Sequence, residues 1–449
     1  MTITIQRLSY KQFLLLTVPF MISTATQPLL GAVNTAIMGH MADAAYIAAV
    51  ALGVILFNSM YWLFGFLRVA TTGFSAQALG EEDKRHISLA LYRPAFLAAV
   101  ISIVCIMAYF FLFPAYADFM NAEGRVLSFL KQYCDILVWG APFVLGNYVI
   151  LGWLMGQMLV RLTLWMQISM NVLNMVLSWV LVFYADWGVA GVAWGTLLAQ
   201  VYGFIIGLVS LAYARERLVF SRDMGQQIIK GKALARIMKV NTDLMIRTTC
   251  LLTINNLFAN TGSSMGTTVL AANAVLLEII FIMAYFFDGI ANGVSVFSGR
   301  AKGEGNILLW KDTIHIGLIC AGGMALLWEV VLSIGGSALI GAMTNVVSVK
   351  ILSLEYQWAL QAYPLCAAIG LVLYGMYTGC GETAWVRNMM VVAVLVFAVG
   401  DWQLTRYWGN TGLWLTYVGT YFLESVLLVA FLRYVHILPR QDSHIGTGQ

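Results

Sequence analysis

The residues best suited to chemistry are ionisable side chains inside long apolar segments, because a charge within a membrane is costly and usually has a function. Asp288 is the strongest candidate, and Asn292 lies one helical turn later on the same face. Glu278 lies ten residues before Asp288 and about 80° around the helix, so it is a weaker companion. We expect Asp288, Glu278 and Asn292 to bind a proton or Na⁺ inside the membrane.

Two arginines, Arg68 and Arg247, also lie inside apolar segments. We expect both at a depth similar to that of Asp288, so an ion pair between Asp288 and one of them would lock the cytoplasmic side. Protonation of the carboxylate would weaken that pair. The alternative is a static ion pair that only holds helices together. Further acids lie within or near the predicted spans, and the sequence does not rank them: Asp135, Asp243, Glu329, Glu355, Asp401 and Glu424.

A stripe of polar side chains follows one face of the fifth apolar segment. Its members are spaced four, three and four residues apart: Gln167, Asn171, Asn174 and Ser178. With Gln27 and Asn34 of the first segment they would line a wet cavity, or they would serve interhelical hydrogen bonding. Pro28 removes a backbone hydrogen bond, so we expect it to bend the first helix.

Patterns typical of enzymes are missing from the sequence. It holds no HExxH, GxSxG, Walker or Rossmann motif, and its five histidines are scattered. The sequence therefore predicts a protein that is not an enzyme, with no cofactor and no metal site. Because the chain lacks a nucleotide-binding motif, any work that it does would draw on a gradient of H⁺ or Na⁺.

The composition is that of a membrane protein. Apolar residues make up 61% of the chain, charged residues 10%, and the mean hydropathy is +0.82. In ordinary soluble domains about a quarter of the residues are charged. We count twelve apolar segments of the length needed to cross a bilayer, so we predict an all-α integral membrane protein with twelve transmembrane helices.

The basic residues orient these helices, since they mark the cytoplasmic side. With the N-terminus inside, 19 of the 25 lysines and arginines are cytoplasmic and four lie on the opposite side. Both termini are therefore expected in the cytoplasm. We expect the membrane to be the inner membrane of a bacterium. The lipid bilayer and small organic molecules are the expected partners; nucleic acid is not, and we expect a monomer.

An internal repeat divides the chain into halves. The sequence FSAQALGE at residues 74–81 recurs as FSGRAKGE at residues 297–304, an offset of 223. Glycines and prolines of the fourth and tenth segments match at almost the same offset. We predict two pseudo-symmetric six-helix lobes around a central cleft, at residues 1–213 and 240–449, joined by a cytoplasmic linker at residues 214–239.

These motifs resemble a known family. The sequences LGAVNTAIMGH at residues 30–40, LGWLMG at residues 151–156 and the paired repeat are similar to the MATE multidrug and toxin extrusion family, in its DinF-like branch. The resemblance covers nearly the whole chain. It implies a secondary active exporter that moves organic, often cationic, compounds out of the cytoplasm in exchange for H⁺ or Na⁺ by alternating access.

Two positions depart from that branch, where the first and fifth helices often carry Asp. This chain has Asn34 and Ser178 there, and the sequence does not say whether Asn34 is natural or engineered. Because Asn does not release a proton near neutral pH, we expect coupling to move to Asp288.

Two other functions compete with export. A lipid-linked precursor flippase would need several arginines in its cavity, and only Arg68 and Arg247 qualify. A membrane-embedded transferase would need clustered His and Asp side chains or a metal site, and none is evident.

Overall fold

The computed structural model describes residues 7–39, 44–120, 122–219, 221, 224–228 and 231–435. Side chains at positions 25, 27–36, 38, 39, 44, 47, 232 and 233 are outside that description. The helices of the first half are α1 Tyr10–Gly39, α2 Ala44–Leu63, α3 Phe66–Gly80, α4 Lys84–Phe119, α5 Gly124–Leu137, α6 Ala141–Gly156, α7 Val160–Phe183, α8 Gly188–Tyr213 and α9 Met224–Ile228. Those of the second half are α10 Gly231–Ser264, α11 Thr267–Glu304, α12 Ile307–Met343, α13 Val347–Glu355, α14 Gln357–Cys380, α15 Thr383–Trp408 and α16 Asn410–Phe431.

These helices confirm the predicted all-α membrane fold. Ten helical stretches are long and apolar enough to cross a membrane, and α2 with α3, and α5 with α6, each form one of them. Helices α1 and α10, of 30 and 34 residues, occupy the other two predicted spans. No strand occurs in the part of the chain that the structure describes.

The chain folds as two compact units. The N-terminal unit is Ala25–Met238, and the C-terminal unit comprises Met1–Thr24 and Lys239–Gln449. The boundary therefore lies inside α1, whereas the sequence placed residues 1–213 together. The difference arises because hydropathy locates a helix but does not say which neighbours its side chains contact.

The first part of α1 packs on α11, within the C-terminal unit. The Thr24 hydroxyl donates a hydrogen bond to the Tyr285 carbonyl oxygen at 2.9 Å. Further along α11, Gly289 lies against Met21, and a Cβ on that glycine would overlap the methionine. Helix α1 is thus held to α11 by side chains that precede residue 25.

The predicted linker is shorter than expected and contacts the N-terminal unit. Helix α10 begins at Gly231, so residues 231–239 belong to a helix. Before it, Arg217 Nη1 donates to the Gln157 carbonyl oxygen at 2.8 Å. The backbone N–H of Val219 donates to Ser88 Oγ at 2.8 Å. These bonds fix the segment on α4 and on the end of α6.

In the N-terminal unit, α3 and α6 pack closely through two glycines. A Cβ on Gly152 would overlap the Arg68 carbonyl oxygen, and one on Gly156 would overlap that of Thr72. Only glycine lets the two backbones approach in this way, and small residues commonly serve this purpose between membrane helices.

The C-terminal unit repeats this contact between α11 and α14. A Cβ on Gly375 would overlap the Ala291 carbonyl oxygen, and one on Gly379 would overlap that of Ser295. All four positions are displaced by 223 residues from their counterparts in α3 and α6. The repeat is therefore confirmed in the packing of the helices as well as in the sequence.

Candidate functional site

The carboxylate of Asp288 lies on α11 beside Asn292. The Asn292 amide donates a hydrogen bond from Nδ2 to Asp288 Oδ2 at 3.2 Å. Asn292 is buried and Asp288 half-buried. Glu278 is exposed and lies about 15 Å from Asp288 along the helix, at a rise of 1.5 Å per residue. The structure therefore brings Asn292 to Asp288 but leaves Glu278 apart from them.

Arg247 of α10 joins this group. It interacts electrostatically with Asp288 and also with Glu424 of α16. Its guanidinium carbon lies 3.9 Å from the centre of the Tyr374 ring on α14, the geometry of a cation–π contact. We call Arg247, Asp288 and Glu424 the charged cluster of the C-terminal unit.

Glu424 is the deepest acid of the charged cluster. Only 5% of its surface is exposed, and its Oε1 has no hydrogen-bond partner among the residues described. The Nε of Arg247 is likewise without a partner. Arg247 therefore attracts the carboxylate by its charge without a close bidentate pair of the kind that most stabilises buried ions.

Tyrosine hydroxyl groups extend the cluster along α16. Tyr421 interacts electrostatically with Glu424, and its hydroxyl lies 3.4 Å from that of Tyr417. Tyr417 in turn donates to Asn255 Oδ1 on α10 at 3.4 Å. The spacing of four and three residues between Tyr417, Tyr421 and Glu424 places them on one helical face. This spacing is the feature of the sequence that could have identified Glu424 as a site residue. From the sequence alone, Glu424 stands only among the further acids.

Close packing of α14 on α16 fixes the position of Glu424. A Cβ added to Gly370 of α14 would lie 3.1 Å from Glu424 Cγ. The neighbouring Ser425 hydroxyl accepts a hydrogen bond from the Gly370 N–H at 2.9 Å and donates one to the Cys366 carbonyl oxygen at 2.6 Å. The acid is therefore held on a well-packed helical pair.

The predicted polar stripe of α7 lies inside the N-terminal unit. Gln167, Asn171, Asn174 and Ser178 are all buried. The Asn171 amide donates to Thr26 Oγ1 of α1 at 2.8 Å. The Ser178 hydroxyl donates to Asn174 Oδ1 at 3.2 Å. The first bond joins α7 to α1, whereas the second lies within α7. Thr26 is a partner that the sequence did not single out.

Helix α1 carries three of the predicted residues. The backbone is helical at Gln27, Pro28 and Asn34, but their side chains lie outside the described residues, so their roles stay predictions. A further amide pair joins α6 and α8, since Asn147 Nδ2 donates to Gln200 Oε1 at 3.0 Å. No pattern in the sequence indicates that Asn147 and Gln200 lie close together.

Arg68 belongs to the N-terminal unit, whereas Asp288 and Arg247 belong to the C-terminal unit. It is half-buried on α3, and its carbonyl oxygen accepts a hydrogen bond from the Thr72 hydroxyl at 2.9 Å. Of the two predicted gating arginines, Arg247 is thus the one that the C-terminal unit places beside Asp288. Within the described residues, no group of three or more His, Cys, Asp or Glu side chains is arranged to hold a metal ion.

Comparison with known proteins matches one family along most of the chain. The MatE family model matches residues 19–180 and 244–402. The DNA damage-inducible protein F of Escherichia coli is 30% identical over 421 residues, which cover 93% of this chain and 91% of that protein. The probable multidrug resistance protein NorM of Photorhabdus laumondii is 23% identical over 442 residues, covering 94% and 95%.

Solved structures agree on the fold. The outward-facing conformation of a multidrug resistance MATE family transporter of the MOP superfamily has a TM-score of 0.85 at 19% identity, covering 96% of both chains. At that identity the likeness shows the fold alone.

Proposed function

The chain belongs to the MatE family of membrane transporters, and from this premise we propose that it is a secondary active multidrug exporter. It moves organic, often cationic, compounds out of the cytoplasm in exchange for H⁺ or Na⁺, alternating between inward-open and outward-open states. The observation that carries the proposal is the charged cluster of Arg247, Asp288 and Glu424 inside a bundle of membrane helices.

A buried charged cluster suits the coupling of an ion to a cargo. Charges interact strongly where the local dielectric is low, so binding one proton or cation changes the balance between Arg247 and the carboxylates. If that balance differs between the two open states, the ion favours one of them and drives the cargo in the opposite direction. Asp288 and Asn292 supply a carboxylate and an amide for this purpose, with Glu278 as a further acid on the same helix.

The N-terminal unit would provide polar lining. In this proposal, uncharged side chains would bond with one another or with a cargo: Asn171, Asn174 and Ser178, together with the sequence candidates Gln27 and Asn34. Since amides and hydroxyls do not release protons near neutral pH, we assign coupling to the acids of the C-terminal unit. Asp135 of the N-terminal unit accepts a hydrogen bond from the Tyr109 hydroxyl at 2.7 Å. Pro28 would give the first helix the bend that such a cavity uses.

We place the protein in the bacterial inner membrane as a monomer, with both termini in the cytoplasm. The excess of basic residues in the loops that would face the cytoplasm supports this orientation. A reporter enzyme that is active only in the periplasm, fused after Gln449, should be silent in this arrangement. Periplasmic activity of the fusion would contradict it.

The test of the proposed function is transport by the purified full chain in lipid vesicles. Fluorescent organic cations are offered under an imposed H⁺ gradient and, separately, an imposed Na⁺ gradient. The wild-type protein should transport the organic cations in exchange for H⁺ or Na⁺ under at least one of the two gradients. Asp288→Asn should reduce this ion-driven transport about tenfold or more. Glu355→Gln is the matched control, because Glu355 is an exposed acid at the end of α13.

The outcomes separate the candidate functions. Unchanged transport by Asp288→Asn would remove Asp288 from the coupling site. Failure of the wild-type protein under both gradients would count against an exporter of organic cations. Transbilayer movement of a fluorescent lipid-linked anion by the same vesicles would then favour the flippase, for which Arg68 and Arg247 are the available cations.

A further inference from the structure

Three charged side chains are fully buried in the described part of the C-terminal unit, and two of them have a close ion-pair partner. Arg300 Nε lies 2.6 Å from Glu304 Oε1. Asp243 Oδ1 lies 2.6 Å from Arg387 Nη1. Glu424 is the third, and its Oε1 has no hydrogen-bond partner among the described residues. Glu424 therefore departs from the rule that buried charges are paired.

The ionisable groups around Glu424 come from three helices. They are Arg247 of α10, Tyr363 of α14 and Tyr421 of α16 itself. Helix α15 also packs against α16, but the charged group that acts on the Glu424 carboxylate is Arg247 of α10. Arg247 is thus the one cation near Glu424 in the described part of this unit, and the other neighbours are neutral hydroxyl groups.

Arg247 balances the carboxylate only in part. One face of its guanidinium is covered by the Tyr374 ring, and its Nε donates no hydrogen bond. It also interacts with Asp288, so its charge is divided between two acids. A buried acceptor without a donor costs about 1–3 kcal/mol and more when it is charged. Binding of a proton neutralises the carboxylate and so lowers that cost.

We propose that Glu424 binds the proton that this transporter exchanges, and that Arg247 is the counter-ion that the proton replaces. The inference rests on the proposed function and deepens it by naming the ion and its carboxylate. A metal cation is the poorer occupant, because it needs several oxygen ligands, and the one described charged group that acts on Glu424 is the guanidinium of Arg247, which has no acceptor. A proton forms an O–H bond with the carboxylate and leaves Arg247 free to attract Asp288.

The tyrosines of α16 offer the proton a path. The hydroxyl groups of Tyr421 and Tyr417 lie 3.4 Å apart, and that of Tyr417 reaches Asn255. A hydroxyl group both accepts and donates, so it can pass a proton along such a row. The row leads from Glu424 towards the Asn410 end of α16, which our proposed orientation places outside the cytoplasm.

The test compares Glu424→Gln with Glu329→Gln in vesicles containing the full chain. Glu329 of α12 is a fitting control, since it also lies in a span and has an oxygen without a partner, but it is only half-buried and no described charge interacts with it. We expect Glu424→Gln to lower H⁺-driven transport of a fluorescent organic cation about tenfold or more, with Glu424→Asp partly restoring it. Glu329→Gln should transport as the wild type does.

A second measurement does not depend on transport. The purified chain in detergent is titrated while the infrared band of protonated carboxylic acids is recorded, and Glu424→Gln should remove a component that Glu329→Gln retains. Unchanged H⁺-driven transport or an unchanged band in folded Glu424→Gln would overturn the inference. If the wild type moves no cargo yet shows the Glu424 component, the proposed function fails while the proton site stands.

Discussion

The two units bury different polar side chains around equivalent helix contacts. Among the residues described, none of the buried polar side chains of the N-terminal unit is charged. The C-terminal unit buries Asp243, Arg300 and Glu424. Yet Gly156 and Gly379, at positions 223 residues apart, both allow a close approach of two helix backbones.

This difference shows which parts of a duplicated fold are free to diverge. The glycines are constrained by the approach of two backbones, because any side chain would push the helices apart. A buried polar side chain generally needs a partner, and either an amide or an oppositely charged group can supply one. Among the residues described, the C-terminal unit therefore contains the buried charged side chains, while the buried polar side chains of the N-terminal unit are uncharged.

The largest effect is expected from placing a charge in the N-terminal unit. Asn174 is 3% exposed and accepts a hydrogen bond from Ser178. Asn174→Asp would bury a carboxylate without a cation, at a cost of about 3–5 kcal/mol of unfolding free energy at neutral pH. Asn174→Ala, which loses only a hydrogen bond, should cost about 1 kcal/mol. Thermal unfolding in detergent compares the two, and equal losses would show that this unit tolerates charge.

Next in size is the effect of the glycine contacts, which should be alike in both units. Gly156→Ala and Gly379→Ala each force a Cβ against a carbonyl oxygen, so each should cost about 1–3 kcal/mol. Gly419→Ala is the control, because nothing lies within 4 Å of its added Cβ. There the unfolding free energy should rise by up to about 1 kcal/mol. A loss confined to one unit would mean that the duplicated contact is not equivalent.

The last comparison pairs Ser178 with Asp401, its counterpart at the 223-residue offset. Asp401 accepts hydrogen bonds from the hydroxyls of Thr261 and Thr405, at 2.7 and 3.0 Å. Asp401→Ala should cost about 1.5–3 kcal/mol, since hydrogen bonds to charged groups are the stronger ones. Ser178→Ala should cost about 0.5–1.5 kcal/mol. Unfolding temperatures rank the two, and the reverse order would contradict the contrast between units.

The sequence predicted most of the fold for physical reasons. Twelve apolar segments follow from the thickness of the bilayer, and the duplication follows from an offset that the glycine contacts share. The division of α1 at residue 25 was not predictable. Hydropathy indicates whether a segment prefers lipid or water. Which helix it packs against depends on side-chain shape, as in the contact between Met21 and Gly289.

The site was predicted less completely. Asp288, Asn292 and Arg247 were selected because charged and polar residues are rare within spans, and the structure places them close together. Glu424 was recorded but not ranked, because its importance depends on contacts between α10, α14 and α16, which are distant in sequence. Glu278 was included as a weaker companion of Asp288, about 80° around the same helix, and the structure leaves it exposed.

The division of α1 also has a consequence for biosynthesis. The bond between Thr24 and Tyr285 joins residues 261 positions apart, so the opening helix leaves the ribosome long before its partner exists. At about 5–20 residues per second, that partner follows roughly 13–50 s later. During this interval the insertion machinery or the surrounding lipid must cover the face of α1 that later packs on α11. Release of the nascent chain before α11 is made would leave that face without its partner.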